Sequence, residues 1–149
     1  MNQISLNEYL GLYLDRKYHQ TTNLSNFTAI VKEMIPDLNW VGFYLYNGSS
    51  LYLGPFQGKA AVQTIPMNEG VCGVSASRQE TIVVDDVHQF EGHIACDDAS
   101  NSEIVIPLII NQELFAVLDI DSPIKNRFDE KTVNTLKNAV DLLYQYISK

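Results

Sequence analysis

Cys96 stands in the stretch Gly92-His93-Ile94-Ala95-Cys96-Asp97-Asp98-Ala99-Ser100-Asn101-Ser102-Glu103, among a histidine, small residues and acids. Such a segment fills a core poorly and makes a good loop. A thiol on a loop is accessible, and access together with thiolate character decides cysteine reactivity. An isolated cysteine is more often a small buried hydrophobe. The polar surroundings of Cys96 shift that balance toward chemistry. The other cysteine, Cys72, lies in Gly70-Val71-Cys72-Gly73, which reads as a turn opening a short helix.

Asp119-Ile120-Asp121 is a second constellation. Alternate residues of a strand face one side, so the two aspartates point together. Two carboxylates on one face repel and need solvent, a cation or a shared proton. They are read either as a strand end running into solvent before Ser122-Pro123, or, with Glu103 on the preceding strand, as a converging acid trio. Such a trio suits an ammonium group or supplies a protonated catalytic acid. Trp40 and Tyr44, four apart in an aromatic strand, share a face. They are either plain core or the wall of a small-molecule pocket. Cys72, His88, His93 and Cys96 are the candidate metal ligands. The absence of a Cys-x-x-Cys pair or a second close pair argues against zinc.

The elements that position these residues follow from local patterns. Ser5 and Glu8 form a capping-box pair ahead of Leu6, Tyr9, Leu10, Tyr13 and Leu14, at helical spacing. Leu24, Phe27, Ile30, Val31, Met34 and Ile35 mark a second helix that Pro36 ends. Residues 40–46 and 50–53 are strands joined at the hairpin signal Asn47-Gly48. A third strand is expected over 61–65 and a fourth over 81–84; residues 85–100 form a polar loop. Strands over 104–110 and 114–120 follow. An amphipathic helix carrying Val133, Leu136, Val140, Leu143, Tyr144 and Ile147 closes the chain. Hairpin-linked strands with helices packed on them imply an α+β fold with a six-stranded, mainly antiparallel sheet.

Composition bounds the function. An apolar fraction of 46% and a charged fraction of 19% over 149 residues fit one soluble domain. A formal net charge of -8 excludes the basic footprint that nucleic acid demands and disfavours an anionic membrane surface, but it leaves a small zwitterion open. The N-terminus shows no basic-then-apolar signal pattern and no run reaches a membrane span, so a cytoplasmic location is expected. There, two cysteines point to catalysis or redox chemistry rather than a permanent staple.

Several strings together resemble the free methionine-(R)-sulfoxide reductases, a catalytic branch of the GAF-domain superfamily. They are Asn39-Trp40-Val41-Gly42-Phe43-Tyr44-Leu45, Leu53-Gly54-Pro55-Phe56-Gln57-Gly58-Lys59, Gly70-Val71-Cys72-Gly73, Asp86-Val87-His88, Gly92-His93-Ile94-Ala95-Cys96-Asp97, Ala99-Ser100-Asn101-Ser102-Glu103-Ile104-Val105 and Val117-Leu118-Asp119-Ile120-Asp121-Ser122, in the family's order over about residues 39–129. The resemblance implies a single GAF domain over residues 1–149, with a ligand pocket under a loop. It implies Cys96 as the nucleophile. Trp40, Tyr44, Glu103, Asp119 and Asp121 would form the pocket for free methionine sulfoxide, with the acids also able to supply the proton. A thioredoxin-like reductant is implied as partner, with no metal or organic cofactor, and the analogy extends to a homodimer.

Family members often carry a further cysteine where this chain has Val62. Cys72 is then the only intramolecular thiol left to resolve a Cys96 sulfenic acid; in the competing reading it is a packing residue and an external thiol attacks. The alternative function is a non-catalytic GAF module that binds a small molecule and uses Cys96 as a redox switch. The acid trio beside an accessible thiol is the feature that separates the two, since a sensor has no need of it.

Overall fold

A computed structural model of the protein describes residues 4–94 and 98–147. Helices α1 (Leu6–Tyr13) and α2 (Gln20–Met34) precede strands β1 (Trp40–Tyr46), β2 (Ser50–Gln57) and β3 (Thr64–Pro66). Helix α3 (Gly70–Arg78) follows, then β4 (Ile82–Val84), a single 3₁₀ turn over Val87–Gln89, β5 (Ser102–Ile110), β6 (Glu113–Ser122) and helix α4 (Glu130–Ile147). The strands form one antiparallel sheet in the order β3-β2-β1-β6-β5-β4. The α+β architecture expected from the hairpins is the one found.

Local chemistry sets the ends of the elements. The Glu8 amide donates to Ser5 Oγ at 3.1 Å, capping α1. Pro36 follows directly on Ile35, the last residue to close a turn of α2. The β1–β2 turn takes Gly48 at φ +99°, and Asn47 Oδ1 accepts from the Ser49 and Ser50 amides. Asn111 and Gln112, both at positive φ, make the two-residue turn that sets the β5–β6 register.

Two strands differ from expectation. β2 runs on to Gln57 through Gly54-Pro55, at the register shift between Gly42 and Tyr44 of β1. A proline lacks the amide for a ladder and is tolerated at such an irregularity. The third strand is Thr64–Pro66, not 61–65. The carbonyls of Lys59 and Val62 are taken by the Trp40 indole and the Tyr44 hydroxyl, so residues 59–62 brace side chains, and the bonding to β2 starts at Gln63, whose carbonyl accepts from the Leu53 amide at 3.0 Å.

The sheet separates two apolar layers. On one face Val41, Phe43, Ile104, Ile106, Leu118 and Ile120 pack against α1, α2 and α4, with Leu10, Phe27, Leu136 and Leu143 among the contributors. On the other, Trp40, Tyr44, Val105 and Val117 lie under α3, which brings Val71, Cys72 and Ala76. Burial of both layers supplies the main driving force for the fold.

Glycine at position 42 makes room for this second layer. A Cβ there would come within 2.5 Å and 2.7 Å of Trp40 ring carbons and would also meet the Phe56 Cβ, which cannot swing away. Gly42→Ala is expected to cost about 1–3 kcal/mol in urea denaturation, the usual range for overpacking. It should also shift the fluorescence of Trp40, the only tryptophan in the chain. Unchanged stability and an unchanged spectrum would refute the packing argument.

Candidate functional site

The site is built by strand register. Asp119 and Asp121 alternate onto the α3 face of β6. Across β1, Trp40 pairs with Asp121 and Gly42 with Asp119. Across β5, Glu103 pairs with Asp121 and Val105 with Asp119. One row of the sheet therefore reads Trp40, Asp121, Glu103, and the next reads Gly42, Asp119, Val105. The acids brought together from β5 and β6 are the ones the spacing singled out.

They are not a solvated strand end. Glu103, Asp119 and Asp121 are 5%, 5% and 6% exposed. The sheet continues past them on both sides. The Asn39 amide donates to the Asp121 carbonyl at 3.0 Å, and the Asn101 amide donates to the Ser122 carbonyl at 2.7 Å. Ser122 Oγ donates to the Asp37 carbonyl at 2.6 Å. The chain is thus laddered and tied beyond the point where the sequence suggests a turn into water.

Burial sets the protonation of the cluster. It pushes the Glu103 carboxyl well above the usual carboxylate range, and the neighbouring Asp121 charge adds to the shift. Burial, then the Glu103 charge, does the same to Asp119. One oxygen of each lies within 4.8 Å of one oxygen of the other, close enough for the two to titrate as a coupled pair. No lysine or arginine among the described residues contributes to offsetting either shift. Asp119 Oδ1 is buried and has no hydrogen-bond partner among the described residues. An unsatisfied buried oxygen is costly unless something else reaches it.

Cys72 completes the roof. Its thiol is buried; burial, then the Asp119 and Glu103 charges, push it well above its ordinary value. Sγ and one oxygen each of Glu103 and Asp119 lie within 4.8 Å of one another. Among the described residues these are the donor atoms grouped closely enough to hold an ion, three where a structural zinc takes four. His88 is not among them: its Nε2 is 3.0 Å from Asn101 Oδ1. His93 instead reaches the cluster, with Nε2 3.1 Å from Glu103 Oε1. Burial lowers the imidazole below its ordinary value, so this contact is a hydrogen bond more than an ion pair.

The aromatic residues belong to the same face. Trp40 and Tyr44 are stacked with ring centroids 6.0 Å apart, and Trp40 and Phe56 are stacked at 5.3 Å. Their polar tips are held by backbone: the indole donates to the Lys59 carbonyl at 3.0 Å and the Tyr44 hydroxyl to the Val62 carbonyl at 2.8 Å. Val62 thus anchors Tyr44 through its main chain.

Cys96 lies outside the described residues. The described chain on either side of it is attached to this end of the sheet. Ile94 packs on Gly70 at the start of α3, so closely that a Cβ at Gly70 would come within 3.1 Å of it. Ser100 Oγ accepts from Asn39 Nδ2 at 2.9 Å. An open groove of about 520 Å³ between α3 and residues 90–94 is lined by none of the acids. Sequence reasoning did not foresee the His93–Glu103 contact, the Phe56 stack or the seat of Cys72 between two acids. Only alternation along β2 hints at Phe56.

The raised acids have a stability signature. A carboxyl whose folded value is raised binds more protons in the folded chain than in the unfolded one, so its contribution to stability falls as pH rises above the ordinary carboxylate range. Glu103→Gln removes that dependence at one position. Relative to wild type, it should gain stability as pH rises from about 5 toward 8, at most about 1.4 kcal/mol per pH unit for one proton. Thermal melts across that range check this, and a constant difference would refute it.

Comparison with known proteins follows the same line. The GAF domain family model matches residues 22–147. Free methionine-R-sulfoxide reductase of Escherichia coli is 46% identical over 125 residues, covering 84% of this chain and 76% of that protein. The Saccharomyces cerevisiae protein of the same name is 41% identical over 143 residues, covering 91% and 79%. The structure of fRMsr of Staphylococcus aureus in complex with substrate superposes with a TM-score of 0.90 at 42% identity, covering 96% of this chain and 94% of that one. The chain belongs to the GAF domain family and, within it, to the free methionine-R-sulfoxide reductases.

Proposed function

We propose that this protein reduces free methionine-(R)-sulfoxide to methionine, with Cys96 as the nucleophile. The observation that carries the reading is the buried acid cluster on the Trp40 face. Three carboxyls taken out of water without a lysine or arginine to offset the shifts of Glu103 and Asp119 favour a ligand that brings positive charge. A free amino acid brings an ammonium group. The aromatic pair Trp40 and Tyr44 supplies an apolar wall suited to a methyl-sulfur end, since sulfur–aromatic contacts contribute roughly 0.3–1.5 kcal/mol each. The substrate named for the relatives has both parts.

The chemistry balances as follows. The Cys96 thiolate attacks the sulfoxide sulfur, and a protonated acid of the trio gives its proton to the departing oxygen. The oxygen passes to the cysteine, leaving methionine and a Cys96 sulfenic acid. Glu103 and Asp119 suit the acid role because burial keeps a proton on the pair in the range where an ordinary carboxyl has lost it.

Recycling runs through Cys72. Its thiol attacks the sulfenic sulfur, a disulfide forms, and the hydroxyl leaves as water. A buried thiol held protonated is a poor nucleophile until it loses its proton, and Asp119, with an oxygen within 4.8 Å of the sulfur, is the base at hand. An external dithiol of the thioredoxin type then reduces the disulfide by exchange, becoming a disulfide itself. A cytoplasmic setting, a role against oxidative stress, a single domain over the whole chain and a homodimer belong to the same reading.

Turnover assays with both sulfoxide epimers and dithiothreitol test it. Wild type should consume the R epimer of the free amino acid, and Cys96→Ser should lose activity by orders of magnitude, because a hydroxyl is a far weaker nucleophile at neutral pH. Without reductant, wild type should make one methionine per chain and leave a Cys72–Cys96 crosslinked peptide. Substantial turnover by Cys96→Ser would sink the nucleophile. Sulfenic acid on Cys96 beside a free Cys72 would sink the recycling step.

A further inference from the structure

Glu103 carries a contact that the proposed chemistry does not use. Nε2 of His93 lies 3.1 Å from its Oε1, the imidazole partly buried and the carboxyl buried. Burial lowers the imidazole, which is therefore neutral at neutral pH, and burial keeps the carboxyl protonated. A neutral imidazole carries its proton on one ring nitrogen, and the two tautomers do opposite things to a carboxyl. With the proton on Nδ1, Nε2 accepts the carboxyl O–H, and the acid proton points at the histidine. With the proton on Nε2, the ring donates to Oε1, and the acid proton is left on Oε2.

We propose that His93 is a positioning residue for the general acid: its Nε2–H holds Oε1 of Glu103, so that the acid proton sits on Oε2, and the same bond stabilises the carboxylate formed when that proton leaves. This rests on the acid role proposed for the trio and assigns it to Glu103. The proton step balances: the Oε2–H bond breaks as an O–H bond forms on the departing sulfoxide oxygen, and the Nε2–H bond stays whole. A hydrogen bond to a carboxylate is roughly twice as strong as one to a neutral carboxyl. The contact therefore strengthens as the proton leaves, and an interaction that is stronger in the transition state than in the ground state lowers the barrier. The other groups around Glu103 do not offer this. Asp121 is its register partner on β6, Asp119 and the Cys72 thiol have atoms within 4.8 Å of it, and β4 presents Val84. The two aspartates oppose a further negative charge, valine is apolar, and a thiol is a weak donor.

Wild type, His93→Phe and His93→Gln test this in a single turnover without reductant, followed by the methionine formed from free methionine-(R)-sulfoxide. The Glu103 carboxyl is titrated separately by carbon-13 NMR without substrate. Phenylalanine fills the space of the ring and donates nothing, whereas the glutamine amide can place a donor where Nε2 stood. His93→Phe should slow methionine formation at saturating substrate about three- to tenfold, with the half-saturating concentration little changed. It should also raise the Glu103 midpoint by about 0.5–1 pH unit, because a donor that favours the carboxylate is gone. The alkaline limb of the rate profile, where the acid loses its proton, should move up with it. His93→Gln should keep the rate and the midpoint within about twofold of wild type. Nitrogen-15 NMR of wild type should find the ring proton on Nε2. A phenylalanine variant that is slow while Glu103 titrates unchanged would make His93 a structural prop and overturn the proposal. So would a glutamine variant as slow as the phenylalanine one, or a ring protonated on Nδ1. Wild type that forms no methionine would count against the substrate reading, while the substrate-free titration and the tautomer would still decide what His93 does to Glu103.

Discussion

Burying three carboxyl groups side by side is the constraint around which the rest of this protein is arranged. An ionised carboxylate in a low-dielectric setting costs several kcal/mol unless it is paired, and like charges raise that cost. The fold meets it in parts. Burial holds protons on Glu103 and Asp119 above the ordinary carboxylate range, and His93 hydrogen-bonds Glu103. What is left is a buried Asp119 oxygen without a partner among the described residues, which the proposed function assigns to a positively charged group of the ligand. A ligand-free core would be more stable with apolar residues at these positions. Retaining acids there exchanges stability for binding, as functional sites commonly do.

The packing around the cluster serves the same end. The helix layer on the opposite face is an ordinary apolar core and carries most of the stability. The α3 layer is smaller and holds the aromatic wall in one orientation. Trp40 stacks on both Phe56 and Tyr44, with its indole tied to the Lys59 carbonyl and glycines at 42 and 58 giving its ring room. A side chain so constrained is preorganised, and preorganisation reduces what binding must spend on ordering. A GAF module acting only as a sensor has no evident use for buried acids facing such a wall, and fold alone would not separate the two roles.

Much of this was legible in the sequence, for reasons that can be named. Period-two alternation put Asp119 and Asp121 on one face, and two hairpin turns with residues at positive φ fixed which neighbours they meet. What the sequence could not settle was tertiary. Whether the acids were solvated depended on β1 pairing with β6 across more than seventy residues of chain, as in Trp40 with Asp121. The contact of Cys72 with Asp119 depended on how α3 crosses the sheet, which no local pattern specifies. The third strand was misplaced because carbonyls before Thr64 bond side chains of β1, a competition invisible to strand propensity.

The claim that the acids receive an ammonium group is tested most directly by counting protons. Cys96→Ser protein is titrated calorimetrically with free methionine-(R)-sulfoxide at neutral pH, in buffers of different ionisation enthalpy. A raised carboxyl that meets a positive charge must ionise, while the other of the pair keeps its proton for the sulfoxide oxygen, so binding should release protons to the buffer. The N-acetyl derivative, which lacks the ammonium, should release none and bind about tenfold or more weaker. Equal binding of both compounds, with heats independent of buffer, would contradict the account.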